Sequence, residues 1–210
     1  MKVYAHYEKI NGIEYRWRTM LQLGNAWEVC GTVVMKNPGS SKPINMIIDK
    51  DVLHQLESFD NAKSYKGNCW YEFSVDNTMW LVRRLIEDYL RAHKKPVEGI
   101  IQIFNLFNIR EVDLYMALEK MKSSQDETLL MTTEDDINNL VQPIYLGWGN
   151  LKNNKVFKEY AEKFFEKAKQ NTTYLDQEYN KNPFYHPQYL LLYGNKKDKC
   201  KQIYSSFIKG

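Results

Sequence analysis

Gly31-Thr-Val-Val-Met-Lys-Asn-Pro-Gly-Ser-Ser41 is the stretch around which the chain is organised. Its apolar run, Thr32 to Met35, has strand-forming composition, and Asn37-Pro38-Gly39 cannot continue it. Pro38 removes a backbone donor and fixes its own φ, while Gly39 admits dihedrals that other residues avoid. Asn37 is left at the strand's carboxyl end, which is where ligands bind in open α/β sheets. The same residues also make a tight turn with an Asx cap, so a functional reading depends on what else reaches that end.

Working outward, the sequence before this stretch reads as strands over residues 3–9 and 13–21, joined by the hairpin signal Asn11-Gly12. Within it, Tyr15-Arg-Trp-Arg-Thr-Met20 alternates, which places Tyr15, Trp17 and Thr19 on one face and Arg16, Arg18 and Met20 on the other. These antiparallel strands are expected at a sheet edge. After a polar loop at Ser40–Pro43, a short helix is predicted from Lys50 to Phe59, a surface loop over 60–68 and a short extended piece at Trp70–Phe73. Thr78 to about His93 has helical periodicity through Leu81, Val82, Leu85, Ile86, Tyr89 and Leu90, with Asp76 or Asn77 as cap.

Gly99 to Phe104 is a nearly continuous apolar run, the signature of a central parallel strand, and it feeds into Asn105, Asn108 and Arg110. Helical periodicity returns over 111–121, and Thr132-Thr-Glu-Asp-Asp136 caps a short helix reciprocally. A strand is predicted at Gln142–Trp148, the longest helix at Asn154–Gln170, a fourth inner strand at Thr172–Leu175, and an apolar segment opened by His186-Pro187. Alternating strands and helices at this spacing predict an α/β fold: a three-layer α-β-α sandwich with a short central parallel sheet and antiparallel N-terminal edge strands.

The 210 residues suffice for one core, and a single domain spanning 1–210 is expected. Apolar residues make up 43% and charged residues 26%, which is an ordinary globular balance. The longest apolar run is far below the roughly 20 residues that span a bilayer, and the first residues lack a signal-peptide core, so a cytoplasmic protein is expected. Cys30, Cys69 and Cys200 are too scattered for a disulfide framework or a zinc knuckle. No pair of the four histidines has metal-ligand spacing beside a carboxylate or thiolate; neither a metal nor a cofactor is expected. The net charge of +3 permits a nucleic-acid partner without requiring one. Lysines concentrate in the last third but are interleaved with acids, a pattern that also suits a solvated face.

Polar or small residues therefore stand at the ends of four predicted inner strands: Asn37; Asn105 with Asn108 and Arg110; Gly149 with Asn150; and His186 just beyond the last. Parallel neighbours would bring them to one crevice. Neither a dinucleotide fingerprint, a P-loop nor a nucleophile elbow is present. Amides and one imidazole without a nucleophile suit attack by water on a group already inclined to leave.

These residues carry a resemblance. Met35-Lys-Asn-Pro-Gly39 resembles the first motif of the uracil-DNA glycosylase superfamily, in the Asn-Pro-Gly form of its mismatch-specific and single-strand-selective branches. Gln102-Ile-Phe-Asn105 is similar to the superfamily strand whose asparagine reads the extruded base, and Tyr145-Leu-Gly-Trp-Gly149 to its strand ending in Trp-Gly. His186-Pro187 resembles the His-Pro-Ser motif, with Gln188 in place of Ser. From about Tyr15 to Leu190 the chain is also similar to a bacterial family of uncharacterised function that reads Asn-Pro-Ser-Thr-Ala, Asn-Leu-Phe, Trp-Gly and His-Pro-Leu-Tyr-Leu.

The superfamily resemblance implies a DNA glycosylase in repair or in defence against foreign DNA. Asn37 would position the water, Asn105 read the base with Asn108, Trp148 and Tyr189 nearby, and His186 hydrogen-bond the departing base. Lys36, Ser40, Ser41, Lys42, Arg110, Gln188, Lys196 and Lys197 are the candidate DNA contacts, with Gln188, Tyr189 and Leu190 as candidate wedge residues. DNA is the expected partner, no membrane is, and a monomer is favoured. Two other classes use the same residues: a nucleoside or nucleotide hydrolase that needs no polymer, and a non-catalytic base- or protein-binding relative.

Overall fold

The computed structural model describes residues 1–59, 70–124, 127–193 and 198–210. Asn11 and Gly12 have φ of 50° and 82°, as a two-residue hairpin turn requires, and join β1 (Lys2–Ile10) to β2 (Ile13–Leu23). β3 (Val29–Met35) and β6 (Gly99–Asn105) pair in parallel, and β7 (Ile144–Leu146) joins β3 in parallel on its other side. All residues of β6 and β7 are buried, as expected of strands covered on both faces. Two short strands, β4 (Pro43–Met46) and β5 (Trp70–Phe73), complete a mixed sheet in the order β4-β5-β1-β2-β6-β3-β7 among the described residues.

Helices cover both faces. Val33, Ile101, Ile103 and Tyr145 point to one side, where they meet α2 (Asn77–Ala92), α7 (Pro187–Tyr193) and α8 (Asp198–Lys209). Val34, Phe104, Ile144 and Leu146 point to the other and meet α3 (Leu114–Ser123), α5 (Glu134–Asn138) and α6 (Lys158–Lys169). The short α1 (Lys50–Glu57) buries Leu56 with Tyr4, Met20, Trp70 and Ile100, and α4 (Glu127–Leu130) contributes Leu129. Asp76 caps α2 by accepting the Met79 N–H, and Thr133 with Asp136 forms the reciprocal box that opens α5, both as the sequence predicts. The described helices include none long and apolar enough to cross a membrane.

Four expectations are corrected. The N-terminal hairpin is not at a sheet edge: β5 and β4 continue the sheet outside it. This accords with the burial of Val3 to His6 in β1, whose Tyr4, Ala5 and His6 pair with β5. The alternation along β2 also breaks. Arg18 takes φ 47°, and the β1 register shifts between Tyr4 and His6, so a bulge inserts one residue. Tyr15 and Trp17 then share a face with Met20, while Thr19 pairs with Ile103 on the opposite one. The expected fourth strand at 172–175 is a series of bends, and the Tyr174 hydroxyl accepts the Leu146 N–H at 2.9 Å in place of a strand. The helix expected to be the longest begins at Lys158 rather than Asn154, after a 3-10 turn over Gly149–Asn153, and with 12 residues it is shorter than the 16-residue α2. The predicted loop at 60–68 lies outside the described residues.

The bulge also sends Arg18 into the interior, where its Nε donates to Asp136 Oδ1 at 3.0 Å with both side chains buried. Removing one member of a buried pair strands the other, so Asp136→Ala should cost about 3–5 kcal/mol. Urea denaturation followed by circular dichroism measures the loss.

Candidate functional site

Parallel pairing places the carboxyl ends of β3, β6 and β7 along one margin of the sheet. After β3 the chain passes to β4 and after β6 to α3, and a crevice lies beyond the ends of these neighbours. It is a cleft of about 970 Å³ lined by Asn37, Asn105, Trp148, His186 and Tyr189 together. Lys36, Ser40 and Gln188 also reach it. A cleft of this size accommodates a small-molecule ligand or a nucleoside.

Asn37 lies just past β3, half-buried. Its Nδ2 donates to the Glu111 carbonyl at 2.7 Å and to the Pro38 carbonyl at 3.0 Å. Two acceptors on that side fix the amide's orientation and leave Oδ1 as the atom available to a ligand. Asn105 ends β6 as the ladder partner of Met35, and its side chain is 2% exposed. Its Nδ2 is buried and has no hydrogen-bond partner among the described residues. A buried amide donor left unpaired costs about 1–3 kcal/mol, a cost that a ligand acceptor in the cleft would remove.

His186 is presented by a segment anchored twice from the end of β7. The Tyr145 hydroxyl donates to the Tyr185 carbonyl, and the Gly149 N–H donates to the Phe184 carbonyl at 2.7 Å. Gly147 permits this close approach, because a Cβ there would stand 3.2 Å from Pro187 Cδ and 3.1 Å from Tyr145 Cε1. The Gln188 N–H donates to His186 Nδ1 at 3.2 Å, which leaves the proton on Nε2. Burial, and then the Lys36 charge, hold the imidazole down to about 4, with Asp76 opposing them. His186 is therefore a neutral donor near pH 7. Burial likewise lowers Lys36 from its ordinary value.

Trp148 is buried against Phe184, with ring centroids 4.5 Å apart, and forms part of the cleft wall. Tyr189 is 47% exposed on the cleft, as a stacking residue requires, whereas Leu190 is 3% exposed in the core and cannot serve as a wedge.

The structure puts other candidates to different use. Asn108 is away from the cleft lining, and its Nδ2 donates to the Leu129 carbonyl at 3.1 Å. The Ser41 hydroxyl is buried and donates to the Ser74 carbonyl. Arg110 donates to the carbonyls of Ser40 and Ser41 and to Glu14, so it clamps the loop after Asn37 instead of facing a phosphate. Lys42 is exposed outside the cleft. Lys196 and Lys197 lie outside the described residues.

Arg16, Asp76 and Glu111 also line the cleft and were not expected there. Arg16 had one legible signal, a charge inside a strand of otherwise apolar and aromatic residues. Asp76 was legible only as a helix cap, and the carbonyl of Glu111 carries no sequence signal at all. Among the described residues no group of three or more His, Cys, Asp or Glu is arranged to hold a metal ion. Comparison with known proteins gives no matching family model, no similar curated protein and no similar solved structure.

The His186 imidazole should titrate near 4 rather than 6.5, and Lys36→Met should move it upward; the Hε1 resonance followed by NMR reads both. Since folding depresses this value, the linked stability is fully present above about pH 6.5 and is lost as pH falls toward 4.

Proposed function

We propose that the protein is a cytoplasmic hydrolase with a uracil-DNA glycosylase-like fold that cleaves the N-glycosidic bond of a damaged or modified base in DNA. The observation that carries this reading is the buried, unpaired Nδ2 of Asn105 in the same cleft as Asn37 and His186. A base edge offers the missing acceptor, and a base must leave the stack to reach it.

In this mechanism Asn37 Oδ1 accepts a hydrogen bond from the hydrolytic water and aims it at the anomeric carbon. As the glycosidic bond breaks, the sugar gains oxocarbenium character and the base gains negative charge. His186 Nε2–H and Asn105 Nδ2–H donate to the base, where that charge develops. An amide is a poor general base, so positioning and electrostatics supply most of the acceleration. Tyr189 stacks on the base or its neighbour, and Gln188 borders the gap it leaves.

A second reading, hydrolysis of a free nucleotide, is favoured by the commitment of Ser41 and Arg110 to the fold, which removes two phosphate contacts expected of a polymer binder. Salt separates the two: DNA affinity should fall steeply with ionic strength, whereas activity on a mononucleotide should respond weakly.

Oligonucleotides carrying uracil, mismatched thymine and modified cytosines, scored for alkali-labile sites, test the proposal. Asn37→Ala and His186→Ala are each expected to lower the rate about 10²–10³-fold. Asn105→Asp, which exchanges the buried donor for an acceptor, should abolish cleavage of the preferred base while leaving the fold intact by circular dichroism. An empty panel, or unchanged rates in the Asn37 and His186 variants, would overturn the assignment.

A further inference from the structure

Arg16 is 4% exposed, yet it lines the cleft. Its Nε and Nη1 are buried and make no hydrogen bond among the described residues. Its guanidinium carbon stands 5.3 Å from the centroid of the Phe73 ring, which holds the cation in place without using its N–H groups. The neighbouring arginines behave differently: Arg18 is buried against Asp136, and Arg110 donates to three partners. The carboxylate that acts most on Arg16 is that of Asp76, which caps α2 through its Oδ1 and makes no ion pair with the guanidinium, while the Arg110 charge acts against it. Burial pulls the guanidinium down to about 10, so it remains charged at neutral pH. Lys36 adds a second half-buried cation to the same cleft.

A desolvated charge with vacant donors is costly in a folded protein unless a ligand completes it. A neutral carbonyl would fill a donor but leave the charge uncompensated, whereas an oxyanion answers both. We infer that Arg16 is the anion-binding group of the cleft, and that the ligand carries an oxyanion of the phosphate or carboxylate kind which is received there. The inference does not depend on which bond the cleft breaks.

Inorganic phosphate titrated into the full chain at low ionic strength, with chloride at matched ionic strength as control, tests it. In the wild-type protein the Arg16 Nε–H resonance should shift saturably with phosphate while that of Arg18 stays fixed. Arg16→Met should weaken phosphate binding at least tenfold by calorimetry. The same variant should melt at a higher temperature than the ligand-free wild type, because an aliphatic chain over Phe73 replaces an unpaired charge. Lys42→Met, on the exposed loop, should bind phosphate as the wild type does. An Arg16 resonance that ignores phosphate, or equal binding by wild type and Arg16→Met, would overturn the inference, and the wild-type spectrum decides even if the variant does not fold.

Discussion

The parallel pairing of β3 with β6 is the constraint on which the rest depends. Met35 and Asn105 are partners at the end of that ladder, and the Leu106 N–H then bonds the Met35 carbonyl. Neither strand can slip by one residue without exchanging Val33 for Val34 and Ile103 for Phe104 between two different helical layers. Because the core fixes this register, it also fixes how far Asn37 and Asn105 stand from each other. The site's precision is inherited from packing several residues away.

Polar groups in this protein fall into two populations that chemistry alone does not separate. Asn108, Ser41 and Arg110 spend their donors on backbone carbonyls, and by doing so they hold the loop after β3 and the turn after β6. Asn105 and Arg16, equally buried, leave donors vacant in the cleft, while the unpaired oxygens of Asn108 and Thr19 lie outside its lining. Local consistency is the rule in folded proteins, and its violations concentrate where a ligand is meant to complete the arrangement. That two such violations share one cleft is the strongest physical argument for function here.

Much of this was legible in the sequence because it rests on short-range chemistry. Asn11-Gly12 specifies its turn, Thr133 and Asp136 specify their box, and the nearly continuous apolar run of β6 specifies a strand covered on both faces. The convergence of Asn37, Asn105 and His186 was legible for the same reason, since each follows a strand or turn whose end can be read locally. What escaped depends on distant partners. Asn105 and Asn108 are three residues apart and of one type, and only the arrival of the Leu129 carbonyl assigns one of them to the fold. The Arg18 side chain at the bulge meets Asp136, more than a hundred residues later. Tyr174 is strand-like in its neighbours' composition, yet its side chain rather than its backbone meets β7.

That last contact determines how the sheet stops. Leu146 is satisfied by a phenol, and the ring bearing it is stacked on Tyr145, 5.7 Å away, and set edge-on to Phe207. An extended peptide or a second copy seeking to lengthen the sheet there would first have to evict an aromatic group from its packing. This margin is consequently closed to accretion by its own side chain, a form of protection against self-association that needs neither surface charge nor an additional strand.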